Sequence, residues 1–376
     1  MKLARHVRER RVIVVCGAGG VGKTTTSAAL ALAAARSGRR ALVLTIDPAR
    51  RLAQALGIPP TGKAPFDIPE ERLLDAGVHL PPNGLLSAWM LDPRVVLESV
   101  VDRFAPSPED AQAIRETRLY QALSEVMTGL QEYTAAEALY AFQEEGRYDL
   151  IVLDTPPSRN ALDFLDAPRR LARFLDERTL AIFAPETAER AGAMIRAASK
   201  VVSTALAKTF GESFALELRQ FLGAFGKLFN RMRVHASGVR ELLQSDQAAF
   251  LVVTSPDEAA LEEARYFQHR IGELGLRNEG FILNRSYASQ DPVDAPKDRQ
   301  DGHQDAVLVA ALEKLIPLAL TESEKLEAHR SLRSALEDES RAEGGEGAVA
   351  LPYLDAAVES VEALDLLSTA ILTAES

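Results

Sequence analysis

Short runs of consecutive apolar residues, each closed by a turn or an acidic residue, recur at Val12–Val15, Ala41–Ile46, Leu85–Leu91, Leu150–Leu153, Phe250–Val253 and Gly280–Leu283. A run that is apolar at every position, instead of alternating, suits a strand buried on both faces. The intervals between runs carry helical periodicity; Thr25 to Arg36, for example, is rich in Ala and Leu and stops at Gly38. The pattern therefore predicts an α/β chain, a doubly wound and mainly parallel sheet with helices on both faces. In such sheets ligands sit beyond the carboxyl ends of the strands, so the residues just after each run are where chemistry is expected.

One interval is too long for a simple crossover. Nearly a hundred residues separate Leu153 from Phe250 without a convincing strand. The expectation is a helical subdomain over about 158–246, joined by a second helical stretch over about 93–145, both inserted in a single domain spanning 1–376. Within it, Ile195, Ala198, Val202, Leu206, Phe210, Phe214, Leu218, Phe221, Phe225 and Phe229 return at helical spacing, a stripe that amphipathic helices bury among themselves. Ser286–Asp305 and Glu337–Gly347 are polar and read as exposed loops.

The first run leads directly into Gly17-Ala18-Gly19-Gly20-Val21-Gly22-Lys23-Thr24-Thr25, which fits G-x-x-x-x-G-K-[ST]. Glycines let successive N–H groups converge on phosphate oxygens, and the helix that follows offers its unpaired N–H groups and positive dipole end. Lys23 adds a mobile positive charge and Thr24 a hydroxyl for Mg²⁺. The second run ends in Thr45-Ile46-Asp47-Pro48-Ala49-Arg50-Arg51 and the fourth in Asp154-Thr155-Pro156-Pro157-Ser158. Asp154 is assigned as the second support of Mg²⁺. Asp47, whose strand end also faces the terminal phosphate, is assigned to orient or deprotonate the attacking water and counted among the metal ligands.

Composition narrows the setting. The apolar fraction of 47% argues against global disorder, and a net charge of −11 argues against general nucleic-acid binding. The inserted stretch departs from that balance: from Asp166 to Glu241 there are thirteen lysines and arginines against eight acids. That is either a solvated helix face or a contact with an anionic surface or acidic client. Cys16 is the single cysteine, which rules out an intrachain disulfide and a zinc site built from this chain's thiols. The first residues lack an apolar signal core and no run reaches the length of a membrane span, so the expectation is a cytoplasmic protein without a stable membrane anchor.

On these residues the chain resembles the deviant P-loop ATPases of the arsenite-pump (ArsA) and tail-anchored-protein-targeting (Get) type, in the wider SIMIBI group that includes MinD and ParA. Cys16–Thr25 matches the family's P-loop, Thr45–Arg50 its Asp-Pro-Ala-His switch I, and Asp154-Thr-Pro-Pro its Asp-Thr-Ala-Pro switch II. Leu86–Pro93 is similar to the strand that follows switch I. Asn284 matches the family's adenine-contacting asparagine, and Ile316-Pro317-Leu318 the loop over the base. The resemblance implies ATP and Mg²⁺ as cofactors, and an ATPase whose nucleotide state gates a helical groove for an apolar-helix client or a membrane-protein partner. It implies a homodimer, or a hetero-oligomer with a related ATPase.

Two departures qualify that reading. The family's signature lysine, which reaches across a dimer to the partner's phosphates, is replaced by Ala18; Arg50, Arg51 and Arg159 are the candidate substitutes. Metalloid binding through cysteine thiolates has no counterpart beside Cys16 alone. A nucleotide-gated binding module with little hydrolysis therefore stays open. So does a ParA/MinD-like positioning ATPase, although residues 358–376 are acidic where a MinD-type membrane helix is basic.

Overall fold

A computed structural model describes residues 2–45, 51–59, 62–105, 107–117, 120, 131–156, 238–290, 306–354 and 358–374, with 201, 204–205, 207–208 and 211–212 besides. Each of the six apolar runs contributes a strand to one eight-stranded sheet, with Leu91 just beyond its strand and Ile46 outside the described residues. The strands are β1 (Val12–Gly17), β2 (Arg40–Thr45), β3 (Phe66–Asp67), β4 (Leu85–Met90), β5 (Leu150–Asp154), β6 (Ala248–Thr254), β7 (Asn278–Ser286) and β8 (Ala348–Pro352). Their order across the sheet is β3-β4-β2-β5-β1-β6-β7-β8. Every pairing is parallel except β3 with β4.

The continuous apolar strands are buried on both faces, as their composition requires. In β1, Val12, Val14 and Cys16 enter one core and Ile13 and Val15 the other. The first core includes residues of α5 (Pro93–Phe104), α6 (Pro108–Glu116), α7 (Gln131–Glu145), α8 (Glu258–Glu273) and the later part of α9 (Ala306–Ala342). The second includes α1 (Leu3–Glu9), α2 (Lys23–Arg36), α3 (Arg51–Leu56), α4 (Glu70–Asp75) and α10 (Val361–Thr373). The result is a three-layer arrangement with strands in the middle. The helical stretch expected near 93–145 contains α5, α6 and α7. The stripe from 195 to 229 lies outside the described residues apart from single positions between 201 and 212.

The structure corrects the reading of the last third of the chain. β8, and the short β3, were not among the predicted runs. Residues 337–342, expected in a loop, are the last turns of α9. Leu336 and Ser340, four positions apart, are fully buried there, and Ser340 Oγ accepts from the Gly347 amide that leads into β8. Pro317 lies inside α9, not in a loop, with Leu315, Leu318 and Leu320 exposed around it. Ser286 ends β7 and 287–289 form a 3₁₀ turn, while 291–305 lie outside the described residues. Among the described residues no helix is long and apolar enough to cross a membrane.

Candidate functional site

The carboxyl ends of β2, β5, β1, β6 and β7 line up on one side of the sheet, and the glycine loop rises from β1 between them. Two glycines have no substitute here. Gly17 has φ +146°, and a Cβ on it would stand 2.1 Å from the Val253 carbonyl oxygen on β6. Gly22 has φ +93° and caps α2; a Cβ there would stand 2.2 Å from Asn284 Nδ2. No side chain caps α2 and no acid lies in its first turn, so its amides are left for an oxyanion.

Lys23 is buried, with Nζ donating to the carbonyl oxygens of Gly17 at 2.9 Å and Ala18 at 2.7 Å. Asp154, fully buried at the end of β5, accepts from Thr24 Oγ1 at 2.7 Å and Thr45 Oγ1 at 2.8 Å, both on Oδ2. Ser27 Oγ faces its Oδ1 at 3.5 Å. Register explains the convergence: Asp154 pairs with Val15 on one side and Thr45 on the other. Thr155 ties the strand ends together by donating from Oγ1 to the Val15 carbonyl at 2.8 Å. Asn284 reaches back from β7 and donates from Nδ2 to the Val21 carbonyl at 2.8 Å.

Gly17, Ala18, Gly19, Gly20, Val21, Gly22, Lys23, Thr24 and Thr25 are thus gathered with Asp154 and Asn284. Ala18 is buried beside Val21 in the apolar core on the α2 side. Pro317 does not join them through a loop, because it is an exposed residue of α9. Asp47, Arg50 and Arg159 lie outside the described residues; Arg51 opens α3. Thr45 and Ser27 escaped the sequence reading. The signal for Thr45 is a hydroxyl residue closing an apolar strand.

This donor set fits a nucleotide and a hard divalent cation. Close backbone approach at Gly17 and Gly22, the uncapped α2 terminus and Lys23 suit phosphate oxygens. Thr24 and Asp154 are oxygen ligands of the kind Mg²⁺ takes. Cys16 takes no part, since burial pushes its thiol up to about 12 and leaves no thiolate at neutral pH.

A family profile described as anion-transporting ATPase (ArsA ATPase) matches residues 10–322. The chain belongs to this family. Among relatives of the anion-transporting ATPases, it is 26% identical over 285 residues to a putative arsenical pump-driving ATPase 1 of Aquifex aeolicus, covering 73% of this chain and 63% of that protein. It is 27% identical to an uncharacterized protein of Streptomyces coelicolor over 76% of this chain and 65% of the relative. It is 25% identical to ATPase GET3 of Chaetomium globosum over 74% and 73%. The chain thus spans under two thirds of the length of the first two relatives.

A second polar cluster lies at the opposite, amino end of the strands. The ligand atoms of His6 in α1, Glu279 in β7 and Glu346 before β8 lie within 4.8 Å of one another, a metal-like set by composition. Its charges are already answered: Arg10 donates to Glu279 Oε1 at 2.7 Å, and Arg5 is paired with Glu346. His6 Nδ1 takes the Arg10 Nε–H at 3.4 Å, which leaves the ring proton on Nε2, a buried atom 3.2 Å from Glu346 Oε2 that makes no hydrogen bond among the described residues. A metal would need a lone pair on that nitrogen. Burial, then Arg10 and Arg5, lower the His6 pKa to about 3, so the ring is neutral.

Proposed function

We propose that this ATPase-family chain is an Mg²⁺-dependent ATP-hydrolysing switch whose nucleotide state gates a helical partner-binding region. The observation that carries the reading is the buried Asp154 carboxylate holding the Thr24 and Thr45 hydroxyls beside Lys23. Bound Mg·ATP supplies the phosphoanhydride bond to be cleaved and the charge that organises its oxygens. The loop amides and α2 hold the phosphates in place. Lys23 exchanges the Gly17 and Ala18 carbonyls for phosphate oxygens. Thr24 and Asp154 would hold the cation, with the Thr24 hydroxyl released from its bond to Asp154 to serve as an oxygen ligand. Thr45 keeps its bond to Asp154 and thereby ties β5 to the segment that carries Asp47, the residue assigned to orient the attacking water. Asn284 holds the Val21 backbone and, with Pro317 on α9, is assigned to the base.

By the same reading the partner is an apolar helix of a client or membrane protein, the protein acts in the cytoplasm, and it works as a homodimer or with a related ATPase subunit. Purified Lys23→Ala and Asp47→Asn test the core of the proposal. Both should stop phosphate release, with ATP still bound by Asp47→Asn; unchanged release in both overturns it. The buried, uncharged Ala18 favours a second reading, a binding module that hydrolyses slowly. Tight ATP binding without product in a single turnover, with activity gained by Ala18→Lys, supports that reading.

A further inference from the structure

Away from the nucleotide site, a cleft of about 500 Å³ opens along the outer edge of β8, the last strand of the sheet among the described residues, between α9, α10 and the 3₁₀ turn after β7. Arg330 and Arg333 line it from α9. Arg330 donates to the Gln290 carbonyl at 3.0 Å. Arg333 is half-buried, and its Nε is buried without a hydrogen-bond partner among the described residues. A buried guanidinium donor left unmade is costly, so its partner is to be sought in a water, an ion or a ligand that enters the cleft. Glu337 lies on the same wall but is claimed by Arg341 one turn along, so it does not neutralise Arg333.

The strand adds donors. Phe281 N donates to the Gly347 carbonyl oxygen at 3.0 Å, and Tyr353 N donates to Ser286 O at 3.1 Å. Odd-numbered residues of the stretch from Gly347 to Tyr353 therefore bond to β7. Ala348 and Ala350 direct their main-chain groups outward, into the cleft. Pro352 also faces outward and has no N–H, which interrupts the ladder that an added strand would need. The remaining walls are short side chains such as Ala288 and Ala370. The volume falls within the range of small-molecule sites.

The geometry points to a binding site for a small carboxylate, its planar oxygens received by the Arg333 fork with Arg330 and the outward amides of β8 in support. The site lies on the edge strand, separated from β1 by β6 and β7, and shares no residue with the nucleotide loop.

Calorimetric titration of the full chain with acetate, succinate, glutamate and inorganic phosphate at matched ionic strength tests this. The expected result is saturable binding of succinate or glutamate, weakened about tenfold or more in Arg333→Met, less in Arg333→Lys, and unchanged in Lys23→Ala. Should Arg333→Met fail to fold, Arg330→Met carries the same comparison. Binding that survives both arginine variants, or that is lost in Lys23→Ala, overturns the assignment. So does the absence of saturable binding for all four anions, including the case in which an acidic peptide binds in their place.

Discussion

At the carboxyl end of β5 a buried carboxylate, Asp154, is ringed by hydroxyls and shares its site with a lysine that leans on backbone carbonyls. At the amino end of β7 another buried carboxylate, Glu279, is gripped by a guanidinium. Both ends of the sheet thus hold charged and metal-ligating side chains out of water, and only their partners differ. Hydroxyl and carbonyl contacts can be exchanged for a cation and phosphates at modest cost. An Arg–carboxylate pair in a buried setting cannot be opened without stranding a charge. Residue type nominates a site; what already satisfies its atoms decides whether it can take a ligand.

The largest contrast is expected from removing the cation at each end. Lys23→Ala should cut phosphate release by about a hundredfold to a thousandfold, while leaving the unfolding midpoint in urea nearly unchanged. Arg10→Met should do the reverse. It removes the nearer guanidinium from Glu279, whose side chain is 2% exposed and which keeps Arg277 at 3.7 Å, and should cost about 2 kcal/mol in urea unfolding with turnover per folded molecule retained. Equal effects of the two variants on turnover would break the comparison.

Acid should reach the amino-end cluster through His6. Its pKa is lowered in the folded chain to about 3 from 6.5, so the unfolded chain binds the proton first. Stability from this group is complete above pH 6.5 and declines as pH falls toward 3, at up to about 1.4 kcal/mol per pH unit. The slope is best read between about pH 6.5 and 5, above the range in which carboxylates in general take up protons, and there His6→Gln should flatten it. The smallest effect concerns Zn²⁺ or Co²⁺: neither should bind at His6, and a His6-dependent Co²⁺ spectrum would show the cluster to be a metal site after all.

The central strands were legible because being buried on both faces leaves an unbroken apolar run. β8, with sequence Ala348-Val-Ala-Leu-Pro352, was not, since alanine is a weak strand former and the element is held by its pairing with β7. The end of α9 was hidden by charge: Glu337-Asp-Glu-Ser-Arg341 looks like a loop until Leu336 and Ser340 are seen to face the core. Ile316-Pro317-Leu318 matches a loop by resemblance alone, yet the residues on both sides of Pro317 continue as one helix. At the candidate site, Lys23 and Thr24 are carried by a local motif and Asp154 by its strand end. Thr45 carries a local sign, a hydroxyl closing an apolar strand, but that it meets Asp154 is set by cross-strand register, which no local pattern encodes.

The position of β1 also bears on how the chain is made. Val12 pairs with Ile151 on one side and Ala248 on the other, so the strand that carries the glycine loop has no sequence-near neighbour in the sheet. Contacts that distant are slow to form. At ribosomal rates of about 5–20 residues per second, β1 waits on the order of ten to fifty seconds for its second neighbour. Through that interval an apolar strand is exposed on a nascent chain, which makes the centre of this sheet the place where a chaperone is most needed.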